Sequence, residues 1–389
     1  MQLFDRGEWF TQRNDDFISP AAYGPATCIM VGPFPPPVIG SAVVTAGLRD
    51  AFVSTGYHVQ EINSTAAHLA KDHLLARVLR RLRVSGQLAA ELRRGGVRAT
   101  VYISFAGGGG QFGDLLNVAL ARLFQRPVIL HHHSFAYIRT RRFLTRCVFA
   151  AAGRRARHIF LCGEMRRLAM QRYRSVLRGY VLSNAALAVP PACHPARTGP
   201  LKTIGFFSNI ELTKGIDRFL ELARILRHKS TPVTFEVAGP YRDTSSRMLI
   251  EAAIGEGLIH YRGALAGRAK QDFLETIDVL VLPSRYTHEA EPLVILEALA
   301  AGVAVIASDR GCIAGMIGGG AGRLLDLNAN GLDVAVQQVE QWIADPELFD
   351  KTRRRAAARV IKLRDTNLPA LRTVLRHAAW QPEASTSAF

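Results

Sequence analysis

The sequence predicts an α/β protein of two doubly wound, Rossmann-like domains, each a parallel sheet with helices on both faces. Three observations carry that reading. Short apolar runs alternate with longer helical stretches along most of the chain, the pattern of β–α–β units. A stiff segment, Val189-Pro190-Pro191-Ala192-Cys193-His194-Pro195 with Gly199-Pro200 close behind, divides those runs into two sets. The length, 389 residues, is enough for two hydrophobic cores of ordinary size.

In the first half the strand-like runs fall at 27–31, 58–62, 100–105, 128–132, 158–161 and 180–182. In the second they fall at 203–207, 234–238, 258–261, 279–282, 303–307 and 323–325. The expected domains are therefore 1–190 and 200–365, with 366–389 as a closing helix and tail. Two such domains would face each other across a cleft, with ligands at the carboxyl ends of the strands. The first 24 or so residues show no periodicity, and 381–389 read as a frayed tail.

Composition narrows the function. Apolar content of 48% and charged content of 21% describe a folded globular chain. No apolar run reaches the ~18–20 residues that cross a bilayer, and Met1-Gln2-Leu3-Phe4-Asp5-Arg6 lacks the order of a signal peptide. Five scattered cysteines, with no Cys-x-x-Cys pair, argue for a reducing cytoplasm and against a disulfide frame or zinc site. The net charge of +17 is uneven: residues 1–195 carry +15 and the remainder +2. Between Leu115 and Ile210 the only acid is Glu164, amid a crowd of arginines. Such a field draws an anionic membrane or a polyanion. The chain shows no zinc finger, RNP-type aromatic motif or compact basic recognition element, so nucleic acid is not the expected partner. An arginine-rich composition with no specific partner would produce the same totals.

The motifs follow in chain order. Gly108-Gly109-Gly110-Gln111-Phe112-Gly113 satisfies Gly-x-Gly-x-x-Gly, but no acid appears between Leu115 and Gly163, where one about 20 residues on would hold a ribose, which argues against NAD. His131-His132-His133 end a strand; neighbouring strand residues point to opposite faces, and no acid or cysteine lies nearby, so no metal site is expected. The second half opens with a strand, a polar loop at Ser208-Asn209, then Lys214-Gly215-Ile216-Asp217 before an amphipathic helix, placing Lys214 at the strand end. Farther on, Glu289-Ala290-Glu291-Pro292-Leu293-Val294-Ile295-Leu296-Glu297 spaces two glutamates by seven residues. Proline suits the first turn of a helix, so a helix starting at Pro292 puts Glu297 about 7.5 Å along its axis. The two carboxylates would then flank a helix N-terminus suited to a phosphate. Hydroxyl-seeking acids around an anion site describe a sugar nucleotide.

The stretch from Leu282-Pro283-Ser284 through Gly302 resembles the Glu-x7-Glu signature of family 4 retaining glycosyltransferases, which have the two-domain GT-B fold. Phe235 to Pro240, Tyr261 to Leu265 and Val303 to Asp309 with Gly311 are similar to further segments of that family. The resemblance implies a retaining, metal-independent transfer from a UDP- or GDP-linked sugar, with no other cofactor. It implies Glu289 at the donor sugar's hydroxyls near the reacting carbon, and Glu297 at the ribose. Lys214 and the backbone N–H groups of Leu293 and Val294 would offset charge on the departing diphosphate. The backbone of Gly263, Ala264 and Leu265 would contact the base, and Gly40, Ser41 and His133 would shape the acceptor side. Three positions depart from the pattern: Ser41 stands where a second glycine is usual, Asn209 where an arginine is usual, and Gly315 where many relatives carry a glutamate. The acceptor expected is a saccharide or lipid-linked saccharide in envelope polysaccharide or glycoconjugate assembly, handled in the cytoplasm or at the inner membrane face. Two other readings use the same fold: a non-catalytic scaffold that binds glycan or membrane, and a sugar-nucleotide epimerase, which needs acids in both halves.

Overall fold

A computed structural model describes residues 26–65, 74–94, 99–174, 176, 178–188, 198–326 and 331–378. The expectations for the first 24 residues, for the linker at 189–195 and for the tail at 381–389 lie outside those residues. The chain divides into two compact units, Met1–Ala188 with Thr366–Phe389, and Val189–Asp365.

In the first unit the order is β1 (Thr27–Gly32), α1 (Gly40–Ser54), β2 (His58–Asn63), α2 (Leu74–Arg94), β3 (Ala99–Phe105), α3 (Gln111–Leu123), β4 (Val128–His132), α4 (Ala136–Arg139), α5 (Phe143–Ala152), β5 (Arg157–Phe160), α6 (Gly163–Arg172), β6 (Arg178–Val181) and α7 (Ala185–Ala188). The second unit continues with β7 (Thr203–Phe207), a 3-10 turn (Leu212–Lys214), α8 (Ile216–His228), β8 (Thr234–Ala238), α9 (Thr244–Gly255), β9 (His260–Tyr261), α10 (Gly267–Thr276), β10 (Val279–Leu282), α11 (Leu293–Ala300), β11 (Ala304–Ser308), α12 (Ile313–Ile317), β12 (Gly322–Leu325), α13 (Gly331–Ala344) and α14 (Pro346–Ala378). The final helix is continuous, and its residues from Thr366 onward group with the first unit.

Each unit holds one six-stranded parallel sheet, ordered β2-β1-β3-β4-β5-β6 and β12-β11-β10-β7-β8-β9. All twelve expected strands are present, and their central members are buried, wholly in β4, β10 and β11 and at all but Ser104 in β3. A parallel sheet is covered by helices on both faces, so its strands read as apolar runs rather than alternating ones. In the second sheet, strand order reverses between β7 and β10. Loops leaving those two strands diverge to opposite faces and leave a crevice at their carboxyl ends. In the first sheet the equivalent place lies between β1 and β3.

Candidate functional site

At the β7/β10 reversal the 3-10 turn after β7 is strapped to the loop after β10. Arg285 N–H donates to Thr213 O (2.8 Å), and its guanidinium donates to Leu212 O (2.7 Å) and to the Asp217 carboxylate (2.8 Å). The approach is closer than any side chain at position 215 would allow. Gly215 sits at φ +83°, and a Cβ there would collide with the Pro283 carbonyl. Only glycine takes this left-handed conformation without cost while leaving that space open. The Lys-Gly-x-Asp order is thereby explained in this chain: the glycine admits the neighbouring loop, and the aspartate anchors its arginine.

The strap delivers Lys214 to Glu289. Lys214 Nζ lies 2.7 Å from Glu289 Oε2, with side-chain exposures of 15% and 9%. Ser284 Oγ donates to the same Oε2 (3.0 Å), and the lysine stands over the Tyr286 ring, 4.6 Å from its centroid. Burial, together with the Glu289 and Glu211 charges, raises the Tyr286 phenol above its ordinary range, which keeps it neutral. Behind Glu289, Gly311 at φ +56° admits the Glu289 and Ala290 carbonyls, and Cys312 N–H donates to Ala290 O (2.8 Å).

Helix α11 begins one residue later than expected. Pro292 has φ −62° and ψ 120°, so it precedes the helix, and Leu293 is the first helical residue. The extended ψ lets Pro292 turn the chain out of the loop while Ile295 N–H bonds back to its carbonyl (3.1 Å). The Leu293 and Val294 N–H groups lie in the first turn, ahead of any intrahelical acceptor. Glu297 sits one turn in and is held by Lys270, whose Nζ is 2.6 Å from Oε1. Lys270 comes from α10 and also stands 5.4 Å from the Phe207 ring centroid at the end of β7. Asn209 is half-buried in the loop after β7 and carries no charge. Gly263 takes φ +74° after β9, with its carbonyl bonded to Gly239 N–H (2.8 Å); Ala264 is exposed and Leu265 half-buried beyond it. Gly315 lies on α12, where Arg359 donates to the Gly315 and Met316 carbonyls.

Lys214, Glu289, Glu297 and the start of α11 thus lie together at one reversal point. Lys270, Ser284 and Tyr286 belong with them and had not been singled out from sequence. Lys270 lies 27 residues from Glu297 in the chain and has no local motif. The placement of Ser284 and Tyr286 beside a signature glutamate was the signal available for them.

Gly40, Ser41 and His133 lie in the first unit. Gly40 opens α1 with exposed backbone, and Ser41 O accepts from Thr45 Oγ1 (2.8 Å). His133 follows β4; its ring packs on His131 at 4.1 Å between centroids, and burial lowers its pKa to about 4. Its Nε2 is buried without a hydrogen-bond partner among the described residues. His132 points to the other face, bonded to Tyr137 OH and His158 Nδ1 at 2.9 Å each, so the three histidines do not converge. Among the described residues no cluster of His, Cys, Asp or Glu is arranged to hold a metal. In the glycine-rich run, the Arg81 side chain lies over Gly110 and Gly113, and Ser134 lies against Gly107. Close packing of side chains on backbone accounts for glycine at those positions.

Residues 196–359 match the family model described as glycosyl transferases group 1. This unit belongs to the group 1 glycosyltransferases. The chain resembles HepE from Anabaena, solved in complex with UDP, at TM-score 0.63 and 14% identity, over 90% of this chain and 100% of that one. It resembles sucrose-phosphate synthase from Thermosynechococcus elongatus at TM-score 0.68 and 14% identity, over 90% and 97%. With TarM the values are 0.61 and 16%, over 75% of this chain; the chain spans 58% of TarM's length. At these identities the likeness is one of fold, and the fold is the GT-B-like pair of parallel α/β units. No curated protein matches the chain.

Proposed function

We propose that this group 1 glycosyltransferase moves a sugar from a nucleoside-diphosphate donor to a saccharide or lipid-linked acceptor, with retention and without a metal. The observation that carries the reading is the Lys214–Glu289 pair beside the start of α11, with Glu297 one turn further on. Glu289 accepts hydrogen bonds from the donor sugar's hydroxyls, and Glu297 accepts them from the ribose. The Lys214 ammonium and the Leu293 and Val294 N–H groups face the diphosphate. In the reaction the bond from the anomeric carbon to the phosphate oxygen breaks and one to the acceptor oxygen forms. The acceptor's proton passes to the departing phosphate, whose charge those same groups stabilise. The diphosphate contact that Asn209 does not supply falls to Lys270, the second cation at the same crevice. Gly263, Ala264 and Leu265 offer backbone to the base. Gly40, Ser41 and His133 shape the acceptor side, and the unpartnered His133 Nε2 supports that assignment. HepE was solved with UDP and with UDP-glucose, which supports a uridine donor as the first to try. An envelope polysaccharide or glycoconjugate is the product class we assign.

The reading is tested by proton NMR of UDP- and GDP-linked α-sugars incubated with the chain. Slow donor hydrolysis should release the α anomer first. Release of the β anomer first would rule out retention, and no turnover of any donor would rule out the transferase.

A further inference from the structure

We infer that the outer side of the α2–α3 helix pair is a docking surface for an anionic lipid bilayer. Large apolar residues normally face the core on an amphipathic helix, recurring at i, i+3, i+4 and i+7. Here that stripe faces water. On α2, Leu75, Val78, Leu79 and Leu82 are exposed at that spacing, Leu75 by 69%, while Val84, Leu88 and Leu92 of the same helix are buried. On α3, Phe112, Leu116, Ala119 and Leu123 form a second exposed stripe, with Phe112 at 70%.

The two stripes open on the same side. Ser85 Oγ donates to Asn117 Oδ1 (2.7 Å) and Arg81 lies over Gly113, which fixes the faces through which the helices touch. Helix α2 joins β2 to β3 and α3 joins β3 to β4, all parallel strands of one sheet, so the two helices run in the same direction. At 3.6 residues per turn each stripe lies about a quarter-turn from its contact face, in opposite senses on the two helices. Both therefore point outward, away from the sheet that buries Val84 and Leu88. Beside α3, α5 opens with Phe143, which is 77% exposed and preceded by exposed Arg141 and Arg142.

Charge identifies the occupant. Residues 74–152 contain thirteen arginines, no lysine and two acids. Of those acids, Asp114 is buried and Glu91 pairs with Arg94. A two-fold contact between copies would set this patch against itself, arginine on arginine. An anionic leaflet instead accepts the aliphatic stripes at its acyl boundary and the guanidinium groups among its headgroups, and needs no matching shape. Among the described residues no helix is long and apolar enough to cross a membrane, so the contact is peripheral.

The test is co-sedimentation of the full chain with vesicles of phosphatidylglycerol in phosphatidylcholine, and of phosphatidylcholine alone, at 0.05 and 0.5 M salt, with light scattering of the free protein (concentrations about these values, bracketing strong and weak screening). Binding is expected to anionic vesicles and to fall at high salt. Arg141→Gln/Arg142→Gln should weaken it roughly 25-fold, and Leu79→Glu/Leu82→Glu by more than about tenfold. Because these side chains are exposed, both variants should keep the parent's thermal unfolding. No binding to anionic vesicles at low salt would overturn the inference. So would binding that neither variant changes, or a dimer that Leu79→Glu/Leu82→Glu dissociates in place of any vesicle binding.

Discussion

Lys214 and Glu289 are each other's nearest charged partners, and that pairing sets what substitution at either should do. Both side chains are mostly buried, so removing one leaves the other's charge uncompensated in a region that water reaches poorly. Lys214→Ala should therefore lower both donor affinity and turnover, the latter by about 10²–10³ if the lysine stabilises the leaving diphosphate. Lys270 acts one step away. It fixes the Glu297 carboxylate and adds charge near Phe207, so Lys270→Ala should raise the Kd for the nucleoside diphosphate by about 10- to 100-fold, the worth of one charge-assisted contact. Calorimetry would measure it, and an unchanged Kd would remove Lys270 from the site. The signature glutamates and Lys214 could be read from sequence because their spacing along one loop and one helix is local. Lys270 could not, because its partners come from β7 and α11, and only folding brings α10 beside them.

Elements supply the rigidity those side chains depend on. The 3-10 turn after β7 can lie on the loop after β10 only because residue 215 lacks a Cβ. Gly215→Ala would meet both a left-handed φ, costing about 1–2 kcal/mol, and the Pro283 carbonyl. The expected loss is at least that in urea unfolding of the second unit, together with donor binding; an unchanged midpoint would mean that the strap is not tight. In the first unit β4 and β5 carry a buried histidine set. Burial lowers His133 to about 4 and His158 to about 3, and also lowers His131 and His132. An unfolded histidine titrates near 6.5. Below that pH the unfolded chain gains protons that the folded one does not, so stability is full above about 6.5 and declines as pH falls toward the folded values of about 4 and 3. Amide protection of β4 and β5, corrected for intrinsic exchange, should be lower at about pH 5 than at about pH 7.5. Equal protection would place the histidines outside the stability of that sheet. Strand positions were legible because buried parallel strands are uninterrupted apolar runs; 128–132, 203–207, 234–238 and 279–282 match the structure at both ends. The edge strand β9 was expected at 258–261 but pairs only at His260 and Tyr261, since apolarity marks Leu258 and Ile259 as buried without saying that they lie in the ladder.

At the scale of the whole molecule, the division of labour is visible in charge and topology. The second unit places Lys214, Lys270, Glu289 and Glu297 at one reversal of strand order, a position that neither composition nor periodicity reveals, because sheet order is a property of the folded chain. The first unit carries the positive charge, and the structure adds what a charge count omits: exposed aliphatic stripes among the arginines of α2 and α3. The proline-bearing segment expected to divide the chain, at 189–195, lies outside the described residues, and the grouping of residues from Thr366 onward with the first unit has no signal in sequence. The residues proposed to bind the donor all come from the second unit. The most direct test of the account is isothermal calorimetry of the full chain with UDP, GDP, ADP and NAD. One nucleoside diphosphate should bind, and Lys214→Ala should abolish or greatly weaken that binding while the variant remains folded. Binding of NAD alone, or diphosphate binding indifferent to Lys214, would contradict it.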